Sequence, residues 1–370
     1  MKIPLCKASF GKEEVNAVNE IILAEQPWLA HGPKNKEFEE YFARYLSVKY
    51  AVTVNSCASA LLLSLIASNI KKEVIVPSFT FPASVNAIVL AGAKPVFVDI
   101  DEKTYNLDPE KIEQVISKNT EAIMPVHFAG QCCDMEKIMK IADKNNLSVI
   151  EDSAETIGGT FNGKQAGSFH TGCFSFFPTK NITTGEGGMI ASNDEKFIEK
   201  VKLLSSHGVV KDKEKKWVRS AILAGYNFRM NNLNAAIGVE QFKKLQIFNK
   251  KRIENAKYLN EKLKSFVTIP YIHEKANHVY QMYVIKLPEE VDRDKFVDFL
   301  NKKDIEASVH FSPPVHLQDF YKNKFKQGDL KTTEKIHNEI VTLPMFPDLT
   351  KEQMNYIIEN VKEGLIQCCS

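Results

Sequence analysis

Apolar residues recur at helical spacing over 12–25 and again over 34–47, where Phe38, Tyr41, Phe42 and Tyr45 share one face. From residue 51 the rhythm changes. Short apolar runs at 51–54, 74–76, 95–98, 122–126 and 149–152 alternate with helical patterns at 58–68, 82–91, 109–117 and 134–144. Strands that are apolar throughout and separated by helices predict an α/β fold with a mostly parallel sheet covered on both faces. An aromatic run at 173–177 then stops at Pro178, and a polar turn leads to another apolar run at 189–192. From 231 to 265 the helical pattern is unbroken, with no glycine after Gly238. Such a helix commonly joins a large domain to a smaller one. Beyond it, the run 280–287, the helical patterns at 292–302 and 350–366 and the segment 307–311 predict a compact α+β lobe. The expected division is a large domain over 1–250, including the N-terminal helices, and a small C-terminal domain over 251–370.

Composition narrows the function classes. The chain has 370 residues, 44% of them hydrophobic, enough for a sizeable core. Basic and acidic residues nearly cancel, 48 against 46, and no segment concentrates positive charge, so no nucleic-acid partner is expected. No apolar run reaches the ~18 residues of a membrane span, and the N-terminus lacks the apolar stretch of a signal peptide. Seven cysteines without C-x-x-C spacing read as reduced thiols of a cytoplasmic protein, and the nine histidines form no metal-ligand pair. Only Arg44, Arg219, Arg229, Arg252 and Arg293 are arginines, so each invites a question.

In open parallel sheets, ligands bind beyond the carboxyl ends of the strands. Four segments stand there, at 55–59, 77–81, 127–130 and 151–155, and they are expected to converge with Lys180 on one rim. Lys180 lies in a tight connection between two buried strands. Apolar walls around a lysine disfavour its charge and prepare it as a nucleophilic amine for a Schiff base; a solvated loop lysine is the plain alternative. The small polar residues before the helix at 58 suit a phosphate, or a simple cap. Phe81 is placed to stack on a flat ring, or to fill core. Asp152, ending a buried strand, needs a cationic or donor partner, which a protonated pyridine nitrogen or a structural ion pair would supply. Arg229, just before the long helix, is suited to grip a carboxylate with two parallel hydrogen bonds.

Together these parts are what pyridoxal 5′-phosphate (PLP) chemistry requires. The chain resembles the sugar-nucleotide aminotransferases of the DegT/StrS type, within the fold-type-I PLP enzymes. The likeness runs through Trp28-Leu-Ala-His-Gly-Pro33, Glu151-Asp-Ser-Ala-Glu155, the segments 175–188 and 225–238, Pro313-Pro-Val-His-Leu317 and Leu343-Pro-Met-Phe-Pro347. The resemblance implies that Lys180 binds the cofactor covalently and moves the substrate proton, and that Asp152 keeps the pyridine nitrogen protonated. It further implies that Ser175 and the backbone at Cys57 and Ala58 hold the phosphate, that Asn227 reaches it from a second subunit of a homodimer, and that Phe81 stacks on the ring. Arg229 would engage the carboxylate of the amino donor, and His316 would lie on the substrate side. Two departures stand out. Ala58 replaces a frequent threonine, which keeps a backbone amide but loses a hydroxyl. Glu155 stands where His or Gln is common near the cofactor's phenolic oxygen; a charged glutamate there repels a phenolate, so it is either protonated or turned elsewhere.

The resemblance implies a transfer of an amino group in two half-reactions, from L-glutamate to the cofactor and then to a ketone on a nucleotide-linked deoxysugar. The 313–318 segment resembles the branch that aminates 4-keto-6-deoxyhexoses. Related sugar dehydratases carry histidine where this chain has Lys180. Amination at C3, a cyclitol or aromatic-precursor acceptor, and a non-catalytic regulator on the same scaffold are the alternatives.

Overall fold

The computed structural model describes residues 1–215 and 217–369. Seven strands form its central sheet, in the spatial order Tyr50–Val54, Gly188–Ser192, Thr171–Ser175, Ser148–Asp152, Thr120–Ile123, Glu73–Pro77, Lys94–Val98. Neighbours from Thr171–Ser175 to Lys94–Val98 are parallel, whereas Gly188–Ser192 runs antiparallel to both of its neighbours. Six strands therefore point one way and one is reversed, in keeping with the expected mostly parallel sheet.

Alternation along each strand sends neighbouring side chains to opposite faces. Val74 and Val76 pack with Leu61, Leu65 and Ile88 on one face, while Ile75 packs with Ile123, Val149, Ile138 and Ala142 on the other. Both faces are thus covered. The covering helices begin where their sequences supply caps. Ser56 accepts the Ser59 amide at the start of Cys57–Ala67, Asp134 caps Met135–Asn145, and Pro82 opens Pro82–Leu90 with a ring that needs no hydrogen-bond donor. The helix expected over 109–117 ends at Ile112. Past that point the chain turns, through Val115 N–H to Ile112 O, to bury Val115 under the sheet.

An aromatic cluster supports the reversed strand and its neighbour. Phe38 and Phe42, on helix Pro33–Leu46, meet Phe176 and Phe174 with ring centroids 5.0 and 4.8 Å apart. Such pairs contribute about 0.5–1.5 kcal/mol each beyond burial. Gly238 allows the long helix Asn232–Leu263 to pass this cluster, because a Cβ there would lie 2.5 Å from the Phe38 ring.

The C-terminal lobe is built on the antiparallel pair Tyr283–Lys286 and Ile340–Leu343, with helices Arg293–Lys302 and Lys351–Gln367. Tyr283, Ile285, Phe296, Leu300, Val341 and Ile357 share its core with Leu259 and Leu263 of the long helix. Midway along that helix the buried Arg252 sends Nη1 to the carbonyl oxygens of Met345 (2.9 Å), Tyr280 (3.2 Å) and Gln281 (3.3 Å). Burial pulls its pKa down to about 10, which leaves it charged at neutral pH. Among the described residues no helix is long and apolar enough to cross a membrane.

Candidate active site

The strand ends open into a cavity of about 390 Å³ between the sheet and the C-terminal lobe. Cys57, Ala58, Phe81, Asp152, Glu155, Ser175 and Lys180 all border it. They lie at or just beyond the carboxyl ends of four strands, Tyr50–Val54, Glu73–Pro77, Ser148–Asp152 and Thr171–Ser175, and convergence follows from the parallel sheet, which gathers such ends on one edge.

Lys180 sits in the connection from Thr171–Ser175 to Gly188–Ser192. That connection is closed by Phe176 N–H to Gly187 O (2.9 Å) and Thr184 N–H to Phe176 O (3.0 Å), and the Lys180 amide itself donates to Phe177 O (2.9 Å). Gln281 of the C-terminal side ties down Thr179 through its carbonyl (2.9 Å). The ammonium of Lys180 finds a carboxylate, Glu155 Oε1, at 3.4 Å, so its environment is not the purely apolar one the sequence led us to expect.

Asp152 is buried at the cavity floor. Its Oδ2 accepts the Ser84 hydroxyl at 2.7 Å and its Oδ1 accepts the Ala154 amide at 3.1 Å. Burial nevertheless raises its pKa above the ordinary aspartate value, because two neutral donors do not replace the lost water. Cys57 Sγ lies 3.9 Å from Asp152 Oδ1, and burial pushes this thiol well up, which makes it an apolar filler and not a nucleophile.

The start of helix Cys57–Ala67 forms a cup. Cys57 and Ala58 are its first residues, whose amides an α-helix leaves without an internal acceptor. Gly188 makes the cup possible: a Cβ there would lie 2.5 Å from the Ser56 carbonyl carbon and 2.7 Å from Cys57 N. Ser175 lies alongside, its hydroxyl oxygen accepting the Phe177 amide at 3.3 Å. Phe81 stands at the start of the next helix, with its side chain 61% exposed at the cavity edge.

Three expected residues stand apart. Arg229 donates to the Ser206 hydroxyl at 3.1 Å, and Asn227 pairs through its backbone with Ser206; neither borders the cavity of its own chain. His316 is buried between the Ser78 hydroxyl and Glu334 and also lies off the cavity. The Ser78–His316–Glu334 order superficially matches a hydrolase triad, but Ser78 is fully buried and serves to tie the C-terminal lobe to the strand end. Sequence reasoning missed Ser84, Gln281 and His310. Ser84 carried a faint signal, as a hydroxyl on a helix whose one other polar side chain is Asn86; Gln281 and His310 reach the cavity from the C-terminal lobe and carried none.

The donor set fits PLP. A buried carboxylate with only neutral partners faces the cavity, a lysine stands on its wall, and a glycine-lined helix start offers free amides.

Comparison with known proteins agrees. Residues 8–362 match the family described as DegT/DnrJ/EryC1/StrS aminotransferase family. The chain is 40% identical to the protein MJ1066 of Methanocaldococcus jannaschii over 98% of its own length and 97% of that protein. It is 36% identical to the spore coat polysaccharide biosynthesis protein SpsC of Bacillus subtilis, over 98% and 96%. Among solved structures it is similar to Helicobacter pylori PseC, an aminotransferase involved in the biosynthesis of pseudoaminic acid (28% identity, TM-score 0.92, 99% and 100% covered). It is also similar to NtdA of Bacillus subtilis with bound cofactor PMP (32%, TM-score 0.86, 96% and 82% covered).

Proposed function

The chain belongs to the DegT/DnrJ/EryC1/StrS aminotransferase family and is a PLP-dependent aminotransferase, and we propose that its acceptor is a nucleotide-linked keto-deoxysugar, a 4-keto-6-deoxyhexose, with L-glutamate as amino donor. The observation that carries this reading is the placement of Lys180 and Asp152 on one cavity beside the amide cup at Cys57 and Ala58. The names of SpsC and PseC, which concern a polysaccharide and a sugar acid, support a sugar acceptor.

When bound, PLP supplies an electron sink that lets an amine and a carbonyl be exchanged. The chain's residues do the rest. Lys180 Nζ anchors the cofactor and, once released, carries the proton between cofactor and substrate carbons, work worth about 10²–10⁴ in rate. Asp152 holds the proton of the pyridine nitrogen. The Cys57 and Ala58 amides and the Ser175 hydroxyl grip the phosphate, and Phe81 covers the ring. Leu5, Phe177, Phe311 and Met345 give the cavity an apolar lining. Asn227 and Arg229, outside their own chain's cavity, are assigned to the site of a partner subunit in a homodimer, Asn227 toward the phosphate and Arg229 toward the donor carboxylate.

The test is the visible absorption of PLP-loaded protein before and after L-glutamate, followed by turnover of nucleotide ketosugars. A yellow band that glutamate bleaches, and that Lys180→Ala lacks, is expected. A Lys180→Ala protein that turned over ketosugar at the wild-type rate would sink the assignment. Loaded protein that turns over cyclitol ketones but no nucleotide sugar would move the acceptor, and one with no turnover at all would favour a regulator.

A further inference from the structure

Glu155 divides its two oxygens between partners of different kinds. Oε2 accepts the Ala129 amide at 3.0 Å, and Oε1 meets Lys180 Nζ at 3.4 Å. The first contact is fixed by the backbone. Ala129 is held in the left-handed region at φ 55° and Gly130 follows at φ 109°. The loop is pinned by Phe128 N–H to Asn106 Oδ1 (2.8 Å), Met282 N–H to Ala129 O (3.2 Å) and Val279 N–H to Gly130 O (2.9 Å). An oxygen that must accept an amide cannot carry a proton toward it. Any proton on Glu155 therefore sits on Oε1, the oxygen on the Lys180 side.

The charges around Glu155 make that proton consequential. Lys180 is the cation paired with it, Asp152 is a second carboxylate close enough to feel it, and His310 is held neutral by burial. Capture of the cofactor's aldehyde by the Lys180 ammonium forms one C=N bond and expels the aldehyde oxygen as water with two protons of the ammonium. The third proton stays on nitrogen, where the cofactor's own neighbouring phenolic oxygen engages it. The positive charge on nitrogen would then be shared with that phenolic oxygen and Asp152 would be paired with the protonated ring nitrogen, so the negative oxygen beside Glu155 Oε1 is the like charge that favours the neutral acid.

Resting on the assignment of Lys180 as the anchoring amine, we propose that Glu155 takes up a proton from solvent on cofactor loading and turns from ion-pair acceptor into hydrogen-bond donor, its Oε1–H directed to the phenolic oxygen. Glu155→Gln mimics the loaded state: its amide oxygen still accepts from Ala129 and its NH₂ replaces the Oε1–H.

The experiment is calorimetric titration of PLP-free protein with PLP, at one pH, in two buffers of different ionisation enthalpy. Wild type takes up about one proton more per PLP than Glu155→Gln. Its PLP affinity relative to the variant strengthens about tenfold per unit fall in pH through the window where free protein is ionised and loaded protein is not. A residue serving only as an ion-pair partner would leave the proton counts equal, and equal counts with a normal yellow band overturn the proposal while sparing Lys180. Absence of the yellow band from loaded wild type overturns both. Should the variant not fold, the infrared difference between loaded and free wild type decides: a protonated-carboxyl band that appears on loading is expected, and its absence refutes the proposal.

Discussion

Ser84→Ala is the substitution whose consequences follow most directly from the geometry. The Ser84 hydroxyl donates to Asp152 Oδ2 at 2.7 Å and takes the Thr80 hydroxyl at 2.8 Å. A hydrogen bond to a charged acceptor contributes about 1.5–3 kcal/mol, which at 1.36 kcal/mol per pKa unit raises the Asp152 pKa by about 1–2 further units when removed. The sign follows from linkage. Burial already holds the Asp152 pKa above its ordinary value, so the folded state binds this proton more tightly than the unfolded chain. Stability attributable to Asp152 is therefore highest in acid and falls as pH rises from about 4 through the folded-state pKa. Losing Ser84 extends that fall by about 1.5–3 kcal/mol. The buried Thr80 also loses its acceptor, which costs about 1–3 kcal/mol at every pH. Urea unfolding of PLP-free protein at about pH 5 and about pH 7.5 separates the two, because only the Asp152 contribution changes between them. Thr80→Val is the control, expected to lose stability equally at both. A Ser84→Ala deficit that is the same at both pH values would refute the reasoning.

Three further outcomes are expected. Lys180→Ala loses the yellow band and about 10²–10⁴ in turnover, read by spectroscopy and single-turnover kinetics, while stability changes little. Gly188→Ala drives a Cβ into the Ser56–Cys57 backbone, costs about 1–3 kcal/mol, and weakens PLP binding about tenfold or more in a fluorescence titration. His278, held down to about 3 by burial from an ordinary 6.5, binds a proton less readily folded than unfolded. Its stabilising effect is complete above about 6.5 and is lost as pH falls toward about 3, by up to about 4–5 kcal/mol. His278→Asn, whose amide oxygen replaces Nδ1 as acceptor for the Tyr280 amide, flattens this acid limb in pH-dependent unfolding.

What the sequence disclosed was local. Apolar runs between helical patterns located the strands, the strand-end rule placed Asp152, Phe81, Cys57 and Ala58 on one rim with Lys180, and the family resemblance added Ser175; all six border one cavity in the structure. Direction was not legible, because an apolar run such as 188–192 reads alike forwards and backwards; its reversal follows from the short connection through Lys180. Residues arriving from elsewhere were invisible too. Ser84 reaches Asp152 across 68 positions, and Ala129 reaches Glu155 through a loop whose left-handed alanine no pattern announces. His316 looked like a cavity residue from its motif, yet its ring is spent between Ser78 and Glu334.

Arg252 gives the molecule a mechanical character. One buried guanidinium nitrogen clasps three carbonyls, two in the segment leading into one strand of the C-terminal lobe and one just after the other. Swinging that lobe about the long helix would strip a charged donor of partners, each contact being worth about 1.5–3 kcal/mol. A displaced state more than about 4 kcal/mol uphill is populated less than about once in a thousand molecules. The clasp therefore holds the lobe at one angle to the long helix, and the cleft beside it at one gape.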